Sequence, residues 1–365
     1  MSFCIPVYNN AEAAVKTVSS ILSSPDSRFE VVVSDNASDD NVQELLSQVH
    51  DPRFRYHRND KNLGAHKNWE KALELGRGIY LFLSMVRDRL YGDKITNLID
   101  ILEHAHKNNI TLLQDGYNPN TEYQIYNGID AMIKFVKIDH PTATIFNREC
   151  FQSIPDRTRY FEISDMYPEN YVRRDLLLMG QGAVIFSGVY SREGDFYNMK
   201  KANSTVECGK DIHDMYFAPR RKAVQTFELL DMIGLELSGT FSEADVNKYF
   251  KARFYELLGS VSLGWRWQCT SETWQAYYGQ KVRHVSIREM LGNIITAYRS
   301  TKSHLQNNGT FTPSKQRVMY LCTVKAFMNV LVYFPVKSAV KKVLEPLGIW
   351  KVLKTLKRKI KNSPA

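Results

Sequence analysis

The sequence is poor in cysteine, and its few cysteines follow no recognisable spacing. None belongs to a C-x-x-C pair, and an odd number scattered along the chain fits neither a disulfide framework nor a zinc site. We therefore expect buried free thiols in a protein that works in a reducing compartment. The five positions are Cys4, Cys150, Cys208, Cys269 and Cys322.

Several short motifs and long apolar runs are also missing. No G-x-G-x-x-G follows the first apolar run and no Walker A sequence occurs, which disfavours a Rossmann dinucleotide site and a P-loop. The first apolar run, residues 3–7, is too short for a signal peptide, so we expect a cytoplasmic protein. Residues 318–336 are strongly apolar, but Lys325 and Asn329 interrupt them and disfavour a membrane-spanning helix.

The positive charge is concentrated near the C-terminus. Residues 337–361 hold nine Lys and Arg and one acid, a net +8 of the formal +9, which leaves the remaining chain near +1. A nearly neutral body argues against a general nucleic-acid binder. The basic segment instead predicts contact with an anionic surface.

The last part of this basic segment has helical periodicity. Its apolar residues fall on one helical face, Trp350 lies beside them, and lysines and Arg358 occupy the rest. This pattern predicts a basic amphipathic helix on an anionic membrane surface. A packed C-terminal helix or a basic dimer contact is the alternative. The apolar positions are Ile349, Val352, Leu353, Leu356 and Ile360.

The first two hundred residues alternate between apolar strand-like runs and helical patterns. Such alternation predicts an α/β fold with a mostly parallel, doubly wound sheet. After about residue 220 helical patterns dominate, and a basic, partly apolar tail follows. We therefore predict domains at 1–220, 221–306 and 307–365. The predicted strands are 3–7, 29–33, 54–57, 80–83, 111–113, 143–146 and 183–186, and the main predicted helices are 11–24, 41–49, 65–75, 94–106, 168–179, 224–237, 243–261 and 287–300.

Polar groups follow the first two predicted strands. Pro6 and Val7 lead into Tyr8 and Asn9, whose ring and amide suit stacking on a base and hydrogen bonding to it. Asp35 follows the second strand, where its carboxylate suits the N3–H of uracil or thymine, or a ribose hydroxyl. An Asx turn is the plainer interpretation of Asp35.

A third polar group precedes the helix predicted over 65–75. Lys61 suits a phosphate, and Gly64 permits close approach of a ligand to the backbone. Asn62 lies between them, and Asn68 lies one turn into the helix. The alternative is an ordinary turn with a surface lysine.

The fourth group follows the strand predicted over 80–83, where the chain continues as Arg87, Asp88 and Arg89. Ligands of open α/β sheets bind outside the carboxyl ends of the strands. Asp88 therefore suits a metal or a sugar, and a solvated loop is the alternative.

The order of these motifs resembles the family 2 glycosyltransferases of the GT-A fold. The matching stretches are Ile-Pro-Val-Tyr-Asn, then Val-Val-Val-Ser-Asp-Asn-Ala-Ser-Asp, then Asn-Leu-Gly with a later Asn, then an apolar strand ending in an acid. The resemblance covers roughly residues 2–190 and extends to bacterial enzymes that build capsule, teichoic acid or other surface polysaccharides. It implies inverting transfer of a sugar from a UDP- or dTDP-sugar to a carbohydrate acceptor. A lipid-linked acceptor would explain a cytosolic enzyme at the inner face of the membrane.

The resemblance also implies roles for particular residues. Asp88 would be the last acid of an Asp-x-Asp site and would bind Mn²⁺ or Mg²⁺ at the diphosphate, and Arg87 would share the diphosphate charge. His213 would be an extra metal ligand, although a surface histidine is the plainer interpretation. The implied nucleotide-sugar-binding residues are Pro6, Val7, Tyr8, Asn9, Asp35, Lys61, Asn62, Gly64, Asn68, Arg87 and Asp88.

In this family a carboxylate further along the chain acts as general base. Glu169 falls in the first turn of the helix predicted to begin at Pro168, where the helix dipole favours an anion. We expect its side chain to be anchored but accessible. Asp165 is the second candidate, and both acids could be simple helix-capping residues.

Two positions depart from the family pattern. The pattern has an acid at position 86 as well, where this chain has Val86, and it often has glycine where this chain has Ala143. These departures support a rival interpretation, in which the protein binds nucleotide-sugar or acts as a scaffold without catalysis. A nucleotidyltransferase, the third possibility, would need a glycine-rich phosphate loop near the first strand, and the sequence has none.

Overall fold

The fold is described from a computed structural model, which covers residues 1–86, 88–116, 123–138, 141–163, 167–191, 211–215, 217–271 and 281–333. The chain divides into two compact units. The first contains residues 1–210, 225–253 and 273–280, and the second contains residues 211–224, 254–272 and 281–365.

In the described part of the first unit, eight strands form one sheet in the order β3-β2-β1-β4-β8-β6-β9-β7. Strands β7 and β8 run antiparallel to their neighbours and the other pairings are parallel, which confirms the predicted mostly parallel sheet. The strands are β1 (Ser2–Val7), β2 (Glu30–Asp35), β3 (Phe54–Arg58), β4 (Tyr80–Leu83), β6 (Ile110–Asp115), β7 (Gln124–Tyr126), β8 (Thr144–Asn147) and β9 (Gln181–Ile185).

The strands and helices of this unit share a core that the sequence pattern predicts. Strand β1 is buried along its whole length, as expected for a central strand covered on both faces. Phe3 packs against Phe82 of β4 at 5.2 Å between ring centroids, and Val18 and Ile21 of the first helix are buried in the same core. The helices are α1 (Ala11–Leu22), α2 (Val42–Leu46), α3 (Ala65–Leu75), α4 (Ile95–Lys107), α5 (Gly128–Phe135), α6 (Arg148–Ser153), α7 (Tyr160–Ile163) and α8 (Glu169–Met179).

The carboxyl ends of β4 and β6 meet on either side of the start of β8. Thr144 pairs with Leu83 of β4 and with Gln114 of β6. Just before it, the Ala143 N–H donates to Leu83 O at 3.0 Å, and the Asp115 N–H donates to Ala143 O at 2.9 Å. Ala143 has φ +59°, a left-handed conformation that favours glycine.

A short ribbon lies beyond the end of β4 and is missing from our prediction. Strand β5 (Arg89–Leu90) pairs antiparallel with β10 (Tyr190–Ser191). Strands of two residues are too short to show an alternating pattern in the sequence. The ribbon fixes the chain directly after Asp88.

The second unit is helical in its described part, as predicted. Ser286 and Thr312 cap the helices that begin at Ile287 and Pro313, each accepting a hydrogen bond from a backbone N–H three residues later. Helices α9 (Pro219–Gly234) and α10 (Glu243–Gly259) contain residues of both units. The other elements are a π-helix (Ser260–Gly264), α11 (Trp265–Thr270), α12 (Ile287–Asn307), α13 (Pro313–Met328) and a second π-helix (Asn329–Tyr333).

Within the described residues, no helix has both the length and the apolar character needed to cross a membrane. The predicted amphipathic segment over 349–360 lies outside the described residues.

Candidate functional site

Asp35 lies at the carboxyl end of β2 with its side chain fully buried. Both carboxylate oxygens accept hydrogen bonds within the protein. The Ser38 N–H and hydroxyl donate to Oδ1, at 2.9 Å and 2.5 Å, while the Tyr56 hydroxyl and the Arg58 guanidinium donate to Oδ2. Asp35 therefore holds the loop after β2 against β3, as well as standing where we predict the nucleotide.

The environment keeps Asp35 ionised. Burial alone would raise the pKa of this carboxyl, but hydrogen bonds from Ser38, Tyr56 and Arg58 outweigh burial, so the pKa lies below its usual value. The pKa of the Tyr56 hydroxyl is raised, first by burial and then by its bond to Asp35. The site thus keeps a negative charge at the end of β2.

A network of side-chain amides joins the ends of β1, β2 and β3. Asn68 donates to Val7 O and Ser34 O, at 3.3 and 3.0 Å. It accepts from the Ser34 hydroxyl at 2.7 Å and from Asn59 at 3.0 Å. Asn36 accepts from Asn59 at 3.2 Å. All four residues of this network are buried, so they support the loops of the site without facing solvent. They are Ser34, Asn36, Asn59 and Asn68.

The same network holds the loop that precedes α3. Asn36 donates to the Asn62 side chain at 2.8 Å, and Asn62 in turn accepts from the Gly64 N–H at 2.8 Å. Gly64 has φ +83°, and a Cβ placed there would meet no atom within 4 Å. Lys61 is exposed at the start of this loop. The loop thus offers a fixed backbone turn and a nearby cation, the two features we predict for a diphosphate.

The end of β1 is arranged differently from the prediction of a simple base platform. Pro6 and Val7 are buried within the sheet, while Tyr8 and Asn9 are half-buried beyond it. The Asn9 side chain accepts from the Asp39 N–H at 2.7 Å, and the Asn9 N–H donates to the Ser38 hydroxyl at 3.0 Å. The Tyr8 hydroxyl and the Asn9 amide nitrogen also donate to the Asp39 carboxylate, at 3.4 and 3.5 Å, so both side chains are tied to the loop after β2.

Asp88 closes a tight turn after β4. Its carboxylate accepts from the Met85 N–H at 2.7 Å, and its own N–H donates to Met85 O at 2.9 Å. Asp88 is half-buried, and Val86 packs against the hydrophobic core. Thr17 of α1 donates to Val86 O at 2.9 Å. The turn is thus an ordered element, and its fold accommodates valine where the family pattern has an acid. Arg87 lies outside the described residues, as does the side chain of Arg89.

Across the described residues, no group of three or more His, Cys, Asp or Glu side chains could hold a metal ion. The ligands that we predict, Asp88 and His213, belong to different units. The His213 ring is exposed and lies 5.8 Å from the ring of Trp265, whose Nε1–H donates to Glu289 at 2.9 Å. His213 is therefore part of an aromatic cluster of the second unit.

Glu169 is the first residue of α8, as predicted, but its side chain is only 2% exposed. The expectation of an accessible carboxylate is therefore wrong for this structure. The reason lies in the chain after α5, which packs over the start of α8. Asn170 exchanges hydrogen bonds with the backbone of Lys137 at 3.1 Å, and Arg173 donates to Phe135 O at 3.2 Å. Asp165 lies outside the described residues.

Asp115, at the carboxyl end of β6, is a buried acid that our sequence reasoning missed. It accepts from the Ser187 N–H at 2.9 Å and from the Ser187 hydroxyl at 2.5 Å. Burial raises the pKa of Asp115 to about 7, against the lowering effect of these bonds. An acid two residues after the mostly apolar run 110–113 is the sequence signal that marks it.

The structure therefore brings the ends of β1, β2 and β3 and the loop before α3 into one hydrogen-bonded group. The end of β4, with Asp88, lies beside β1 in the same sheet. Asn36 and Asn59 are among the members of this group that our prediction does not name as site residues. Each directly follows the last residues of a strand, which is the signal that could have identified them.

The comparisons with known proteins agree with this architecture. Residues 2–178 match the family model described as glycosyl transferase family 2. The chain is 31% identical over 108 residues to abequosyltransferase RfbV of Salmonella typhimurium, covering 28% of this chain and 32% of that protein. It is 27% identical over 105 residues to the succinoglycan biosynthesis protein ExoO of Rhizobium meliloti, covering 29% of this chain and 30% of that protein. The chain thus spans between about a sixth and a third of the length of the curated relatives it matches.

Among solved structures, the fold is similar to that of S. aureus TarS residues 1–349, a crystal structure in complex with UDP-GlcNAc. The TM-score is 0.50 at 12% sequence identity, and the match covers 92% of this chain and 91% of that chain. At this identity the likeness shows the fold alone. Residues 2–178 therefore form a family 2 glycosyltransferase domain, and this domain has the GT-A fold.

Proposed function

We propose that the protein is an inverting glycosyltransferase that moves a sugar from a UDP- or dTDP-sugar to a carbohydrate acceptor in bacterial surface polysaccharide synthesis. The observation that carries this proposal is the hydrogen-bonded group at the ends of β1, β2 and β3, with a buried anionic Asp35 at its centre. The names of the relatives RfbV and ExoO support a role in polysaccharide synthesis. A lipid-linked acceptor is the finer part of the proposal.

In this proposal the nucleotide lies over the ends of β1 and β2. Tyr8 stacks on the base, and Asn9 hydrogen bonds to it. Asp35 fixes the loop that lines the pocket. Direct contact of its buried carboxylate with the base or the ribose requires displacement of Ser38, Tyr56 or Arg58 from that carboxylate. Lys61 and the backbone at Gly64 meet the diphosphate, since the lysine is exposed and the glycine leaves space around the backbone. Arg87 adds positive charge after β4.

The metal is a separate part of the proposal. Mg²⁺ is often bound by one or two carboxylates together with substrate phosphates and water, so a site with a single acid is chemically possible. Within the described chain Asp88 is the acid that would contact Mn²⁺ or Mg²⁺, and the ion would supply charge neutralisation at the diphosphate. We keep His213 as a less favoured ligand because it contacts Trp265.

The chemical step needs a base for the acceptor hydroxyl. The base removes the hydroxyl proton as the oxygen attacks the anomeric carbon, and the nucleoside diphosphate leaves from the opposite face. We propose Glu169 for this role because it begins α8, where the helix dipole favours a carboxylate anion. Because its side chain is buried, this role requires that substrate binding uncover the carboxylate. Asp165 is the second candidate.

A donor screen tests the activity directly. Purified protein is incubated with UDP- and dTDP-sugars and saccharide acceptors, and products are identified by mass. We expect one donor to give a product heavier by one sugar, and Glu169→Gln to abolish that product while nucleotide binding persists. Unchanged transfer by Glu169→Gln would reject Glu169 as base, and absence of transfer from every donor would reject the activity.

Val86 supports the second candidate function, a nucleotide-sugar-binding or scaffold protein without catalysis. Its side chain packs against the core, so the turn after β4 is built around an apolar residue. Under this alternative the unmodified chain binds nucleotide but transfers nothing, and Val86→Asp restores metal-dependent hydrolysis of the donor. Sugar transfer by the unmodified chain would exclude it.

We also propose a location at the inner face of the cell membrane, with residues 307–365 as a membrane-associating tail after a catalytic domain over 1–220 and a helical region over 221–306. The support is the net +8 over residues 337–361 and the apolar stripe within 349–360. Deletion of residues 349–365 should weaken binding to anionic vesicles, and unchanged binding would reject this part.

A further inference from the structure

Helix α13 is apolar on two opposite faces. One face is buried in the fold through Met319, Cys322 and Ala326. The other face, which we call the outer face of α13, continues into the π-helix that follows. It consists of Tyr320, Leu321, Val324, Met328, Leu331 and Val332, whose relative exposures run from 42% to 64%.

The spacing shows that this exposure is a property of the helix face. Tyr320, Val324, Met328 and Leu331 follow one another at intervals of four, four and three residues, which places them along one side of a helix. The helix cannot turn this side inward, because the opposite side already holds buried core residues. A contiguous exposed apolar stripe of this kind marks an interaction site.

The positive charge that follows the outer face in the sequence indicates which kind of partner binds there. The face ends at Val332, and the segment with net +8 begins five residues later, at Lys337. A second copy of this chain, docked in parallel on the same face, would bring two such segments close together, and their repulsion opposes that contact. An anionic lipid surface instead attracts the segment and offers an apolar layer to the face.

We propose that the outer face of α13 inserts into the interfacial layer of an anionic membrane. This inference deepens the proposed membrane location and rests on it. It assigns an additional apolar part of the binding to six residues within the described fold, separate from the apolar stripe within 349–360. Tyr320 suits such a position, since its ring is apolar and its hydroxyl stays near water.

The two parts of the binding respond differently to salt. Attraction between the basic segment and anionic lipid is screened at high ionic strength, where the Debye length falls to about 3 Å at 1 M salt. Burial of apolar side chains does not depend on screening. Binding that survives high salt therefore reports apolar contacts, and deletion of residues 349–365 separates the share of the outer face from that of the apolar stripe within 349–360.

The test uses the full-length protein and vesicles with and without phosphatidylglycerol, in low salt and in high salt. The outer-face variant is Leu321→Gln, Val324→Gln and Leu331→Gln combined. Glutamine keeps helix propensity high, and exposed substitutions leave the fold intact. We expect this variant to bind anionic vesicles roughly tenfold or more weakly and to lose its salt-resistant binding, because half-exposed apolar side chains no longer enter the lipid layer.

A matched control replaces three other exposed apolar residues of the second unit, Val282→Gln, Ile287→Gln and Ile295→Gln. We expect this control to bind vesicles as the unmodified protein does. Thermal unfolding of both variants should match that of the unmodified protein, which shows that lost binding does not come from lost folding.

The outcomes separate this inference from the proposed location. Vesicle binding by the outer-face variant that equals the unmodified protein at both salt concentrations would overturn the inference. A dimer seen by light scattering and abolished in that variant would also overturn it, because a second copy would then cover the face. If deletion of residues 349–365 has no effect while the outer-face variant fails to bind, the inference is supported and membrane binding by residues 349–365 is rejected. No vesicle binding by the unmodified protein would overturn both.

Discussion

The two halves of the sheet edge differ in how they are built. At the ends of β1, β2 and β3, buried amides, Asp35 and Arg58 form a connected network in which each polar group has a partner. At the ends of β4 and β6, the chain has Val86 in place of an acid, a left-handed Ala143 and a buried acid, Asp115. The first half is where we propose that the nucleotide binds, whereas the second half departs from the Asp-x-Asp pattern that the resemblance implies. If the proposal holds, nucleotide recognition depends on the first half and depends little on a metal at the second.

The largest expected effect comes from removing the anion of the first half. Asp35→Ala leaves Tyr56, Ser38 and the Arg58 guanidinium without their acceptor in a buried place. We expect a loss of about 3 kcal/mol in the free energy of unfolding, below the full cost of breaking a buried pair because Arg58 is 36% exposed. Nucleotide binding should be lost as well, measured by calorimetry below the unfolding temperature.

The matched control for Asp35→Ala lies at the other end of the same strand. Glu30 forms an ion pair with Arg55 at 2.9 Å at the start of β2. Glu30→Gln should lower stability while leaving nucleotide affinity unchanged. Equal losses of affinity in both variants would show that Asp35 acts only through folding.

The second effect is the pH dependence of the free energy of unfolding, to which Asp115 at the end of β6 contributes. Burial raises the pKa of Asp115 to about 7, above its value in the unfolded chain. The folded state therefore binds the Asp115 proton more tightly than the unfolded chain does. The contribution of Asp115 to the free energy of unfolding is full below about pH 4 and is lost as pH rises toward 7. Asp115→Asn should remove on the order of 2 kcal/mol of this pH dependence. The measurement is urea unfolding at several pH values.

Glu70 on α3 has to be controlled in the same experiment. Burial first, and the nearby Glu74 second, raise the pKa of Glu70 to about 7, so its contribution has the same sign. Glu70→Gln should remove only the share of the pH dependence of unfolding free energy that comes from Glu70. The share that comes from Asp115 should remain. A slope that Asp115→Asn does not change would show that Asp115 is ionised throughout this range.

The third effect tests the amide network. Asn68→Ala leaves Ser34, Asn59 and Val7 O with one bond fewer each in a buried place, which should cost about 1–2 kcal/mol in the free energy of unfolding. Nucleotide affinity should fall too, because the ends of β1 and β2 lose their common partner. Asn293→Ala is the control, since Asn293 bonds to Val261 O in the second unit. An unchanged nucleotide affinity in Asn68→Ala would show that the amide network supports folding but not nucleotide binding.

The fourth effect tests whether the second half can regain metal chemistry. Val86→Asp places an acid two residues before Asp88 and should strengthen the Mn²⁺-dependent part of nucleotide binding by roughly tenfold. Val86→Asn has a similar shape without the charge and should show no such gain. Equal calorimetric affinities for the two variants with Mn²⁺ would argue against a latent metal site.

The smallest effect concerns the left-handed turn. Ala143→Gly relieves a conformation that is costly for alanine but also makes the unfolded chain more flexible, so we expect a net gain of about 0.5 kcal/mol. The control is Ala183→Gly in β9, a buried alanine without positive φ, which should destabilise the protein. Thermal unfolding compares the two, and destabilisation by both would mean that Ala143 is not strained.

Most of the fold could be predicted from the sequence, because most strands and helices are long enough to show a hydrophobic periodicity. Helix α3 has the predicted bounds, and β1 extends only one residue further. The ribbon of β5 and β10 was not readable, since two-residue strands have no period. The amide network was only partly readable, because Asn36, Asn59 and Asn68 are separated along the chain and meet only through the sheet. Burial of Glu169 depends on the distant chain around Lys137, which no local pattern reports.

The most direct test of the central claim is calorimetric titration of UDP and dTDP into the unmodified protein, with Mn²⁺ and with a chelator. The account places nucleotide recognition in the first half of the sheet edge and a weakened metal contact at Asp88. It predicts saturable binding of at least one nucleotide under both conditions, with only a modest gain from Mn²⁺. Absence of binding under both conditions, or binding that depends wholly on Mn²⁺, would contradict it.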